Sequence, residues 1–287
     1  LMSGEFEMGD HIDKAISAEE KAQGKVLLCC TTAKSDLKIN VPGFNPNALP
    51  VRTLPVRIET IEIKHDVALL KLALPKAPSF AFYAGQYIDL LLPGNISRSY
   101  SIANSPDQEG VLELHIRKRE NGVCSEMIFG AEPKIKEKGI VRVKGPLGTF
   151  TLQKDSDKPI VLLATGTGYA PIRSILLDLI HQNSERQVHF YWGARRQEDL
   201  YALEEAEALI GRLKNAKFSP VLSKPNSDWK GENGYVQNVA AQNYSDLSQY
   251  EVYACGSPAM TESAQSLLTQ KCALPEDAFF CDAFSPA

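Results

Sequence analysis

Between residues 56 and 148 the chain alternates apolar and polar positions in short bursts. VRIETIEI, VALLKLAL, YIDLLLP, RSYSIAN, VLELHIRKR and GIVRVKGPLG follow one another with turn residues between them. Alternation with a period of two predicts half-buried strands of an antiparallel barrel or sandwich. From about residue 157 the rhythm changes. PIVLLAT, QVHFYWGA, AKFSPVLS and YEVYACG are apolar throughout, and helical patterns at 171–183, 199–213, 236–244 and 258–271 alternate with them. Apolar strands interleaved with helices predict βα units and a parallel sheet covered on both faces.

Ahead of both lies a stretch of different character. HIDKAISAEEKA reads as a helix, and KVLLCC and DLKINV read as strands. Pro42, Pro46, Pro50 and Pro55 then crowd residues 41–55. Proline has no backbone donor and favours extended, unpaired chain, so this stretch is predicted to be a linker. The expected organisation is a short first piece (1–40), a linker (41–55), a β-barrel (56–155) and an α/β domain (156–287). A length of 287 residues is in keeping with it, at the usual ~150 residues per domain.

Composition narrows the function classes. Thirty-one basic and thirty-five acidic side chains leave a net charge of −4 with no basic block, which argues against a nucleic-acid partner. The longest apolar runs are strand-sized, short of the ~20 residues of a membrane span, and no signal-peptide pattern precedes the first charges. No membrane association is expected. The six cysteines, at 29, 30, 124, 255, 272 and 281, have no framework spacing. They read as reduced thiols of a cytoplasmic protein. The first residue is Leu1, which suggests a fragment or a processed product.

Four motifs carry possible chemistry. In VLLATGTGYAPIRSIL (161–176) an apolar strand runs into Gly166, Thr167 and Gly168, and Pro171 opens a helix. Glycines let an anion approach the backbone, and a helix N-terminus offers unpaired N–H groups to a diphosphate. The run departs from G-x-G-x-x-G, so it is either a nucleotide loop or a plain strand-to-helix turn. In SRSYSIAN (97–104) Arg98 suits a phosphate, Tyr100 a planar ring and Ser101 a ring nitrogen; otherwise it is an edge strand. RENGVCSEMIF (119–129) opens a helix at Gly122 to Ser125, as a second phosphate loop or an ordinary cap. YEVYACGSPAM (250–260) sets Cys255 at the carboxyl end of a parallel strand, as a ligand-side thiol or a small buried hydrophobe.

The order R-x-Y-S, G-x-x-S, G-T-G-x-x-P, C-G-S-P resembles the ferredoxin–NADP reductase superfamily across residues 52–287, with AGQYIDL, GPLG and YWGAR in support. The resemblance implies a Greek-key flavin barrel, a nucleotide-binding α/β domain, and hydride passing from NADH or NADPH to FAD. It implies that Arg98 pairs with the flavin diphosphate, Tyr100 stacks on the ring and Ser101 bonds near its hydride acceptor. His115, Ile116 and Arg117 would contact the rest of the flavin nucleotide. Gly122, Val123 and Ser125 would form the phosphate loop that favours FAD over FMN. Gly166, Thr167, Gly168 and Arg195 would receive the nicotinamide nucleotide, with Cys255 and Gly256 beside its reacting carbon. Ser223 and Lys224 stand where NADP-specific relatives read the 2′-phosphate. Lysine is a point charge rather than a fork and Asp228 is near, so the balance leans to NADH. Phe284 is either an aromatic cover for the flavin or a core residue.

The first forty residues resemble the tail of a plant-type ferredoxin. That resemblance makes Cys29 the fourth ligand of a [2Fe–2S] cluster whose other three would lie upstream, so a cluster is expected only in a full-length form. The combination is similar to reductase components of bacterial aromatic oxygenases, and closer still to reductases of the CDP-6-deoxy-Δ3,4-glucoseen type. The implied partner is a redox protein, an oxygenase or dehydrase component. Two rival readings are an electron-transfer subunit of a larger non-oxygenase complex and a redox-inactive nucleotide-binding module.

Overall fold

The amino-terminal stretch has few apolar positions to bury, and Ile16 is the one buried apolar side chain among its described residues. The computed structural model describes residues 2–10, 16–40, 48–153 and 155–284, which form two compact units, Leu1–Ala48 and Leu49–Ala287. In the first, β1 (Phe6–Met8) is followed by α1 (Ala18–Ala22), whose Ser17 and Glu20 form a capping box. The predicted strand KVLLCC is instead a 3₁₀ turn at Leu28–Cys30 leading into β2 (Thr31–Ala33), which pairs antiparallel with β1. The Cys29 side chain, and with it the iron-ligand expectation, lies outside the described residues, as do residues 41–47 of the predicted linker, whose last residues, Arg52 to Pro55, belong to a strand.

The second unit begins with β3 (Arg52–Lys64), β4 (Val67–Ala73), β5 (Tyr87–Leu92), β6 (Ile96–Ser101), β7 (Val111–Arg117), the helix α2 (Val123–Phe129) and β8 (Ile140–Leu147). The strands form an antiparallel sheet in the order β6-β5-β8-β3-β4-β7. A bridge between Ile102 and Leu114 joins the two ends and curls the sheet into a barrel. Val56, Leu70, Ile88, Leu90, Leu114 and Val143 fill its interior. Burying each such side chain contributes about 1.5–3 kcal/mol. Strand β7 is buried on both faces: Leu112, Leu114 and Ile116 enter the barrel core, while Glu113 and His115 are buried on the other side.

The α/β part runs β9 (Ile160–Thr165), a 3₁₀ turn at Gly166–Gly168, α3 (Tyr169–His181), β10 (Val188–Ala194), α4 (Leu203–Ile210), β11 (Ala216–Leu222), β12 (Glu232–Asn233), α5 (Val236–Asn243), β13 (Glu251–Gly256), α6 (Pro258–Lys271) and β14 (Phe279–Ala283). Its six strands are parallel, ordered β12-β11-β10-β9-β13-β14. Leu162, Phe190, Trp192 and Tyr253 pack with α3 and α4, while Val161, Leu163, Tyr191 and Val252 pack with α5 and α6. Period-two facing thus holds even in strands without a polar face. Strand order reverses between β9 and β13, and at such a switch point the carboxyl ends of the strands leave a crevice for ligands.

Candidate functional site

Two cavities open at that crevice. The first, about 460 Å³, lies between β6 and the start of α2 and takes in Arg98, Tyr100, Ser101, His115, Gly122, Val123 and Ser125. The pleat of β6 sets Arg98 and Tyr100 on one face and Ser97, Ser99 and Ser101 on the other. Tyr100 and Cys124 are hydrogen-bonded neighbours, and burial raises the pKa of both, so phenol and thiol stay protonated. Ser125 Oγ accepts the Arg119 N–H at 2.8 Å, which closes the loop before α2. The guanidinium of Arg98 donates to the neighbouring Ser97 carbonyl at 2.8 Å and spans the rim.

His115 is enclosed by a polar network that crosses from the barrel to the parallel sheet. Its Nε2 lies 3.1 Å from Glu113 Oε1 and its Nδ1 lies 2.8 Å from the Tyr201 hydroxyl. Burial of Glu113 opposes ionisation, but the His115 hydrogen bond and the Arg173 charge hold its pKa low. Burial keeps His115 below its usual value and therefore neutral. The consistent tautomer donates Nε2–H to the carboxylate and accepts the tyrosine O–H at Nδ1. Arg173 donates to Glu205 at 2.8 Å and to the Ala103 carbonyl at 2.7 Å.

The second cavity, about 560 Å³, lies over the carboxyl ends of β9, β10 and β13 and takes in Gly166, Thr167, Arg195, Ser223, Gln237 and Gly256. Gly166 is left-handed at φ +54°, and a Cβ there would lie 3.1 Å from Arg117 Nη1. A Cβ on Gly168 would collide with the Cys255 carbonyl, so only glycine lets α3 begin this close to β13. The helix starts at Tyr169, two residues before Pro171, because the missing proline N–H still falls among the unbonded first-turn groups. Trp192, fully buried and stacked on Tyr169 at 4.2 Å, donates its indole N–H to the Gly166 carbonyl at 3.0 Å. That bond pins the glycine turn from below.

The cavities share a wall made by Arg117, Arg119, Thr167 and Phe284. Phe284 is tied down by its N–H, which donates to the Gly256 carbonyl at 2.7 Å. Four sequence candidates fall outside the linings. The Ile116 side chain is turned into the barrel core by the alternation of β7. Gly168 is buried against Cys255. Lys224 is exposed, its N–H held by the Arg195 carbonyl. Cys255 is fully buried among core residues, and burial, with Asp282 close by, holds its thiol well above the usual range. Asp228 also lies off the lining.

Three positions at or beside the cavities escaped the sequence reading. Asp282 lies beside Cys255 in the strand register and lines the first cavity, and burial pushes its carboxyl up to about 6. Gln237, 7% exposed, donates to Ser263 while its Oε1 is buried without a partner in the wall of the second cavity. Trp192 is the third. The signals that could have found them are the alternation of the last strand for Asp282 and, for Gln237, its place in the first turn of α5.

These features fit two dinucleotides. Gln237 Oε1 lacks a donor, the glycine turn admits no side chain, and three arginines but no carboxylate line the second cavity. The volumes suit sizeable ligands. Among the described residues the one trio of potential metal ligands is His65, Asp66 and Asp199, and both of its carboxylates are already paired with the Arg117 guanidinium. No helix among them is long and apolar enough to cross a membrane, and Cys124, Cys255, Cys272 and Cys281 are free thiols.

Residues 56–152 match the oxidoreductase FAD-binding domain and residues 162–266 the oxidoreductase NAD-binding domain. The chain is 40% identical over 290 residues to CDP-6-deoxy-L-threo-D-glycero-4-hexulose-3-dehydrase reductase of Yersinia pestis, covering 100% of this chain and 85% of the relative. It is 33% identical over 299 residues to the reductase component of propane 2-monooxygenase from Gordonia sp. (strain TY-5), covering 100% and 85%. The solved ferredoxin reductase in carbazole 1,9a-dioxygenase has the same fold, with a TM-score of 0.75 at 21% identity over 99% of this chain and 84% of that one. With both domains in this order and the switch-point crevice between β9 and β13, the chain belongs to the ferredoxin–NADP reductase superfamily of FAD- and NAD(P)H-dependent oxidoreductases.

Proposed function

We propose that this oxidoreductase holds FAD in the first cavity and NADH or NADPH in the second, and delivers the electrons to a redox partner protein in the cytoplasm. The observation that carries the reading is the shared wall, which sets two dinucleotide-sized cavities side by side at a topological switch point. A flavin bound there would supply the chemistry that accepts one hydride, a two-electron transfer, from a reduced nicotinamide and passes the two electrons on singly. The residues position and exclude water. Arg98 and the turn at Gly122 to Ser125 hold the flavin diphosphate, Tyr100 and Ser101 frame the ring, and Phe284 covers the junction. Gly166 and Thr167 receive the nicotinamide nucleotide, and Gln237 and the exposed ring of Tyr235, which also lines the second cavity, recognise its adenosine part.

The second cavity favours acceptance of the 2′-phosphate. Arg195 and Ser223 stand at its rim, and its lining holds no carboxylate to read a bare 2′-hydroxyl or to repel a phosphate. The partner is an oxygenase or dehydrase component, by analogy with the relatives. Anaerobic titration of the purified protein with NADH and NADPH, followed by absorbance, tests the reading. FAD is expected in the heat-released supernatant and bleached by either nucleotide. Release of FMN, or bleaching by neither, would refute it.

A further inference from the structure

Arg117 stands in the wall between the cavities, and its charge is already answered. Its Nε donates to Asp66 Oδ2 at 2.7 Å and its Nη2 to Asp199 Oδ1 at 3.0 Å, while Nη1 faces the Gly166 turn. Both carboxylates stand off the lining of either cavity. Asp66 comes from the turn between β3 and β4, and Asp199 from the loop after β10. One guanidinium with two carboxylates leaves a net negative set directly behind the surface that must receive a diphosphate. A bidentate arginine partner raises anion affinity only as far as its charge is uncompensated. Asp199 also ties the loop that carries Arg195, since its Oδ2 accepts the Arg196 N–H at 3.1 Å.

We propose that Asp66 and Asp199 are affinity-setting residues that restrain Arg117, so that the second cavity holds the spent nucleotide weakly enough to release it. The inference rests on reading that cavity as the nicotinamide nucleotide site. It differs from a structural role in sign. A residue that only braced the loop would, when neutralised, loosen the site and weaken binding. A residue that mutes Arg117 would, when neutralised, strengthen it.

The test is calorimetric titration of the FAD-loaded protein with NAD⁺ and NADP⁺. Asp66→Asn removes charge without touching the Arg195 loop, and Asp199→Asn keeps an acceptor for the Arg196 N–H. Each variant is expected to bind about tenfold tighter, the equivalent of about 1.4 kcal/mol. The gain should shrink at ~1 M salt, where the screening length is about 3 Å. It should vanish when either substitution is combined with Arg117→Gln. Unchanged or weaker binding in both variants, or a gain that survives in the Arg117→Gln background, would overturn the proposal. Failure of the unmutated protein to bind either nucleotide would overturn the site reading along with it.

Discussion

Asp282 offers the sharpest quantitative check on the site. Its carboxyl lines the first cavity, the residue is half-buried, and burial raises its pKa from 3.8 to about 6. A raised acid binds its proton more tightly in the folded than in the unfolded chain. As pH climbs from below 4 through 6, the unfolded chain ionises first, so stability falls across that window and levels off above it. Lifting the carboxyl from 3.8 to about 6, at about 1.4 kcal/mol per tenfold change in proton affinity, corresponds to a loss on the order of 2–3 kcal/mol. Asparagine has the same shape and no proton to lose. The difference in urea-unfolding stability between Asp282→Asn and the unmutated protein should therefore be small near pH 4. It should grow to about 2 kcal/mol in favour of the variant near pH 7.5. In turnover, the same substitution should remove an ionisation near pH 6 from the profile of kcat/KM. Parallel stability curves across that pH range would refute the assignment of a buried, proton-retaining carboxyl.

Two further outcomes follow from the glycine turn. Trp192→Phe keeps the stack on Tyr169 but removes the 3.0 Å bond to the Gly166 carbonyl. At about 1 kcal/mol for such a bond, steady-state kinetics should show KM for the nicotinamide nucleotide rising about fivefold with kcat nearly unchanged. Gly168→Ala sets a methyl against the Cys255 carbonyl. It should abolish nucleotide binding in titration while the protein still purifies with flavin.

Much of this fold was legible because burial leaves a pattern. The alternation of VRIETIEI and VLELHIRKR placed β3 and β7, and the unbroken PIVLLAT and QVHFYWGA placed β9 and β10 in a doubly covered sheet. KVLLCC failed for a physical reason. An apolar run predicts a strand only where a neighbour satisfies its backbone, and the Leu28–Cys30 segment instead bonds locally, with Cys30 N–H donating to Leu27. The long-range partnerships of site residues left no local trace. Arg117 meets Asp66 and Asp199 across separations of 51 and 82 residues, and Trp192 reaches back 26 to the glycine turn. Asp282 was hidden because FFCDAF was read for its aromatic end, although β14 alternates and lines Asp282 up with Cys255.

The wall common to both cavities bears on any attempt to build chimeras. Grafting a relative's α/β domain onto this barrel would import a new Thr167 and Phe284 while keeping the old Arg117 and Arg119. A hybrid seam would then run between the two cavities, where the fit between halves matters most. Modularity, obvious in the order of the domains along the chain, stops at this surface. A recombination that respects the fold would have to carry β7, the Gly166 turn, the loop holding Asp199 and the last strand together as one inherited part.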